Sequence, residues 1–98
     1  MDFKKKIDYV SGQINKEVIL SNQYGSVTLF AFDKGTELAT HAAPCEALVQ
    51  VIDGTIDFTL EGNEMILKEG DFLTLRTGVQ HSLRAEKKFK MLLTKLGA

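Results

Sequence analysis

At 98 residues, 44% hydrophobic and 26% charged, the chain suits one globular unit and has no room for a second. Twelve basic residues against thirteen acidic ones leave a net charge of -1, which offers no field to nucleic acid or an anionic membrane. One proline argues against disorder, one cysteine rules out an internal disulfide, and no apolar run approaches the roughly 18 residues of a membrane span.

From the N-terminus, Met1-Asp2-Phe3-Lys4-Lys5-Lys6 carries a basic cluster with no apolar segment behind it. A secretory signal is not expected, and a cytoplasmic location is. Residues 4–11 read as a strand or a loose arm. Residues 1–25 supply that arm and edge strands, and residues 26–96 the core of a single unit spanning 1–98. Val27 to Phe32 is β-branched and aromatic, as in a strand, but scarcely alternates. Met91 to Leu93 is similar. Such runs need cover on both sides, and a homodimer packing sheet on sheet supplies it, unless the N-terminal arm does so.

Leu38, Ala42, Cys45, Val49 and Ile52 fall at helical spacing. Pro44 would cost about 3 kcal/mol inside that helix, and Val49, Val51 and Ile52 favour strands. The expectation is a loop or short strand over 41–46 and a strand over 47–52, with a helix over 37–52 as the alternative. Asp53-Gly54 reads as a turn. Thr55 to Leu60 alternates, which puts Ile56, Phe58 and Leu60 on one face. Glu61-Gly62-Asn63 turns the chain again, and Phe72–Leu75 and Phe89–Leu93 complete the strands. Many short strands between glycines imply an all-β sandwich or barrel. Its expected core includes Phe30, Phe32, Val49, Val51, Phe58, Phe72, Leu83 and Met91, and those that face the interior would also line a pocket.

Two segments carry a family resemblance. In the first, five residues separate Gly35 from His41, Ala43 follows two positions later, then Ala47, and six residues lead to Gly54. In the second, five residues separate Gly70 from Arg76, with Gly78 and His81 behind it. The glycine and histidine spacings resemble the two motifs of the cupin superfamily, and the short segment between them resembles small single-domain bacterial cupins. The resemblance covers about residues 27–93. It implies an antiparallel jelly-roll, or double-stranded β-helix, barrel with the motif histidines pointing into its mouth.

The motif is degenerate. Metal-binding cupins offer two histidines and a glutamate in the first motif and a histidine in the second. His41 and His81 match, but Ala43 stands at the second histidine and Ala47 at the glutamate. Arg76 replaces a proline, and Ala85 an asparagine. A tight metal site normally takes three or more protein donors. Here the metal ligands would be His41 and His81 with Glu46, one position from the glutamate slot, or Cys45. A divalent transition metal (zinc, iron, manganese or nickel) is thus optional. Two histidines in a half-buried pocket can bind a carboxylate or act as acid and base without one. The bland reading makes them relics bonded to backbone, and Cys45 inert.

The reading favoured by these residues is a small-molecule-binding barrel. His41, His81, Glu46 and Cys45, with Val49, Val51 and Met91, would line its pocket. The alternative is a metal-dependent enzyme of dioxygenase or isomerase type using His41, His81 and a third donor outside the motif. A sensor module attached to a regulator is disfavoured, because no DNA-binding helix or basic surface can be read in the chain.

Overall fold

The computed structural model describes residues 1–97. A single helical turn, α1 (Phe3–Lys6), precedes β1 (Ile14–Asn22), β2 (Gly25–Phe32), β3 (Glu37–Ala42), β4 (Glu46–Asp53), β5 (Thr55–Leu60), β6 (Asn63–Lys68), β7 (Phe72–Leu75), β8 (Gln80–Arg84) and β9 (Phe89–Leu96). The strands form two antiparallel sheets, one ordered β1-β2-β9-β4-β7 and the other β3-β8-β5-β6. This is the expected all-β jelly roll.

Alternation decides what lies between the sheets. Phe32, Val49, Val51, Phe89 and Met91 project inward from the larger sheet and meet Ile56, Phe58, Leu67 and Leu83 from the smaller one. Phe32 stacks on Phe89 with ring centroids 4.5 Å apart. The turn after β4 requires glycine. Gly54 has φ +75, and a Cβ there would lie 2.6 Å from the Lys88 carbonyl oxygen.

The helix alternative over residues 37–52 fails. Pro44 sits between two strands, where its missing N–H costs no ladder bond. The core assignment of Phe72 is corrected as well. It pairs with Gln50 on the outer face of the edge strand β7 and is 65% exposed.

The N-terminal segment becomes α1, capped by the Asp2 carboxylate, and then an arm across the outer face of the larger sheet. Ile7 packs there on Leu29, Ala31 and Leu92, so the chain itself covers part of the apolar run in β2. The Tyr9 hydroxyl donates to Asp53 Oδ2 at 2.8 Å, and the Lys90 amine donates to the Lys4 carbonyl. Burial, then the bond to Asp53, pushes the Tyr9 phenol well above its ordinary range. Lys4 reaches Glu69 at 2.8 Å and Lys6 reaches Glu17 at 2.9 Å, both exposed pairs of small stabilising value.

Candidate functional site

His41 and His81 face each other as a cross-strand pair on β3 and β8. A regular strand would not allow it. Leu38 pairs with Leu83 and points into the core, and His41, three positions on, would then point out. A register shift between Leu38 and His41 inserts one residue and turns His41 back to the inner face. The two ring centroids are 4.3 Å apart, with the planes tilted by 55°.

The rings differ in depth. His81 is 7% exposed and lies parallel to Phe58, at 6.0 Å between centroids. His41 is exposed at the rim. Burial, and the neighbouring His41, hold the His81 pKa below the ordinary 6.5, against the opposing pull of a hydrogen bond to backbone. His81 is therefore neutral at pH 7.

Hydrogen bonds fix which nitrogen carries the proton. His41 Nδ1 is 2.9 Å from the Ala39 carbonyl oxygen, and His81 Nδ1 is 3.2 Å from that of Val79. A carbonyl oxygen only accepts, so each Nδ1 is the donor. In a neutral ring Nε2 is then left as an acceptor, a base or a ligand atom.

The other expected participants stand elsewhere. Ala43 and Ala47, at the two substituted motif positions, belong to the inner face, and neither brings a donor atom. Glu46 is exposed and opens β4 opposite Leu96. Its alternation places it with Ile52 on the outer face, away from Ala47, Val49 and Val51. Cys45 is buried in the β3–β4 loop against Gly97. Among the described residues no group of three His, Cys, Asp or Glu side chains could hold a metal ion. The residues present therefore do not fit a cupin metal centre: two imidazoles converge, and the third and fourth donors are missing.

Val49, Val51 and Met91 are each 2% exposed. Val51 pairs with Met91 and Val49 with Leu93, and all three pack in the core as expected. Sequence reasoning placed Phe58 in the core, lining the pocket as well if it faced the interior. Here it is also the platform under His81, and Leu60 is the cross-strand neighbour of that histidine. The strict alternation of β5 could have signalled both.

The lowered His81 pKa has a measurable consequence. The unfolded chain binds a proton at His81 more readily than the folded one, so the contribution is fully present above pH 6.5 and is lost as pH falls below it. His81→Gln should flatten the decline in urea midpoint between pH 7 and pH 5. Identical pH profiles for the two proteins would contradict this electrostatic assignment.

Comparison with known proteins agrees with this architecture. A family model for the cupin domain matches residues 28–95. A conserved protein of unknown function from Streptococcus pyogenes superposes with a TM-score of 0.92 at 26% identity, over 100% of this chain and 86% of that one. A Cupin 2 conserved barrel domain protein from Leptotrichia buccalis gives 0.89 at 32% identity, over 95% of this chain but only 45% of that protein. A cupin superfamily protein from Desulfitobacterium hafniense, at 20% identity and a TM-score of 0.88 over 94% of this chain and 84% of its own, shares the fold. No curated protein matches the sequence. Among the described residues no helix is long and apolar enough to cross a membrane. With both motifs in register and the family model spanning well over half its length, the chain belongs to the cupin family.

Proposed function

We propose that the barrel mouth binds a small organic molecule through the His41–His81 pair, without a metal ion. The observation that carries this reading is the pairing itself. Two rings 4.3 Å apart each spend Nδ1 on a backbone carbonyl and keep Nε2 for a partner. At neutral pH the buried His81 Nε2 accepts a hydrogen bond from a hydroxyl or amine, and can take its proton as a general base. His41 at the rim meets the same ligand from the solvent side. Half-buried Leu60, beside His81, supplies apolar surface of the kind that ligand sites share, and the buried Phe58 ring backs the imidazole. A dioxygenase or isomerase built on a bound metal needs a third protein donor, which Glu46 and Cys45 do not bring to the pair.

The test is a thermal-shift screen of small alcohols, amines and hydroxy acids on chelator-treated protein, with His81→Gln in parallel. A ligand present at 100 times its Kd stabilises the native state by about 2.7 kcal/mol. The expected result is a shift of several degrees in the metal-free wild type that disappears in the variant. Ligand shifts that occur only after metal is restored, or a stoichiometric metal lost in His81→Gln, would overturn the reading.

A further inference from the structure

The histidine pair has a wall opposite it. Residues 43–45 join β3 to β4, and residues 76–79 join β7 to β8. The two links lie side by side: the Ala43 N–H donates to the Val79 carbonyl at 2.9 Å, and the Gly78 N–H to the Ala43 carbonyl at 2.8 Å. They connect the end of the smaller sheet that holds His41 and His81 to the end of the larger sheet that holds Ala47 and Leu75. On the larger sheet that end is a row of register partners, Ser26, Lys95, Ala47 and Leu75. Met91 and Leu93 pack in the core, and β9 keeps an unbroken register with β2. Alternation therefore sends Lys95 to the inner face as well. Lys95 is half-buried and, among the described residues, is in no ion pair.

We infer that Lys95 anchors the acid group of the ligand, and that the ligand is a small monocarboxylate carrying a hydroxyl group. This rests on the metal-free reading of the site and gives its ligand a chemical class. Lys95 and Ala47 are direct cross-strand partners, and such pairs have Cβ atoms about 4.5–5.5 Å apart. The lysine thus stands one strand away from the position at which the family motif has a glutamate. A glutamate there would pair with the ammonium and cancel it. Ala47 instead leaves the charge unmatched, with only a methyl group beside it. The other charges at this end do not replace that partner. Glu46 is on the outer face of β4, and Glu61 and Arg76 are exposed in turns. One fixed cation on the inner face matches one negative charge. Lys95 meets a carboxylate through a charge-assisted bond, the stronger kind. Across the gap, His81 Nε2 accepts from a hydroxyl. Stacked sheets lie about 10 Å apart, and side chains enter from both walls, so acid and hydroxyl are separated by a few atoms.

Calorimetric titration of the chelator-treated full chain tests this, with glycolate, lactate and γ-hydroxybutyrate as probes, each beside its neutral amide. At least one acid should bind, and its amide should bind roughly 10- to 100-fold more weakly, the loss of one hydrogen bond to a charged group. Lys95→Gln should bring the acid down to the level of the amide, and Lys95→Arg should keep most of the affinity. Ala47→Glu, which sets a carboxylate beside the ammonium, should also abolish the preference for the acid. Lys95 is only half-buried, so its variants should keep the wild-type circular dichroism. Acid and amide binding equally, or an acid that binds Lys95→Gln as well as the wild type, would overturn the role of Lys95 and leave the metal-free site standing. Acids that bind only after metal is restored would overturn both. Failure of all three acids to bind would overturn the inference, even with alcohols or amines still shifting the melting temperature.

Discussion

Replacing Ala43 with His and Ala47 with Glu should raise the affinity for Zn²⁺ or Ni²⁺ by about a thousandfold or more, roughly 4 kcal/mol in binding free energy. The costly part of such a centre is holding its ligands in place, and half of it is already built. The shift in β3 aims His41 inward, and the Ala39 and Val79 carbonyls fix both imidazoles with Nε2 free. Carbonyls in that role are the outer-shell partners of ordinary histidine metal sites, where losing one costs ten- to a hundredfold in affinity. Two added first-shell donors should exceed that. Ala43 is 3% exposed, so a histidine there crowds the interior and should lower the stability of the metal-free variant by about 1–3 kcal/mol. Ala47→Glu alone, in a half-buried position, is the gentler variant and should give an intermediate affinity. Calorimetric titration reads all three proteins. Equal affinity in the wild type and the double variant would mean that the wild-type pair already binds metal as well as a full donor set does. The metal-free reading would then fall.

The same residues show how far the sequence could be read. The spacings Gly35-to-His41 and Gly70-to-His81 carried the essential inference, because two histidines placed by matching motifs should meet, and they do. The alternation of Thr55 to Leu60 placed Phe58 inside. Three features were not legible, each for a physical reason. The extra residue between Leu38 and His41 leaves no mark in composition, although two inward residues three apart in a strand require a bulge. The edge strand β6 escaped notice, and β1 was expected only as an edge strand somewhere within residues 1–25. β1 carries its own register shift between Val18 and Leu20, and Ile66 points out of β6, so neither shows a clean polar and apolar alternation. The cover on β2 was anticipated as a choice between a second subunit and the arm. The structure shows the arm over Leu29 and Ala31, with Val27 half-buried at the margin of the same cluster beside a shallow groove.

Position 46 shows how one residue decides a site. Period-two geometry sends neighbouring side chains to opposite faces, so a carboxylate one step from the motif position is on the wrong side of the sheet. The uncertainty in the sequence lay in the loop around Pro44, which could have broken that period. It does not, because β4 begins at Glu46 itself and the alternation holds from there to Val51.

Phe58 joins stability to function, and its truncation should damage both. Phe58→Ala removes a ring that is 1% exposed from the centre of the smaller sheet and should cost about 3–5 kcal/mol. A domain of this size has only about 5–15 kcal/mol in total, so the variant should melt more than about 10 °C lower or fail to fold. Phe58→Leu is the informative companion, because it keeps an apolar side chain at the position and the fold with it. It removes the plane lying parallel to His81 and admits water beside the ring. Burial is the largest cause of the depressed His81 pKa, so relieving it should move that pKa up towards 6.5. The proton equilibrium would then shift at the atom that the proposed site uses as acceptor and base. A titration of the His81 Cε1–H resonance by NMR measures the change directly. An unchanged pKa in a folded Phe58→Leu protein would mean that the ring does not set the environment of His81, and that the acceptor state of its Nε2 has another origin.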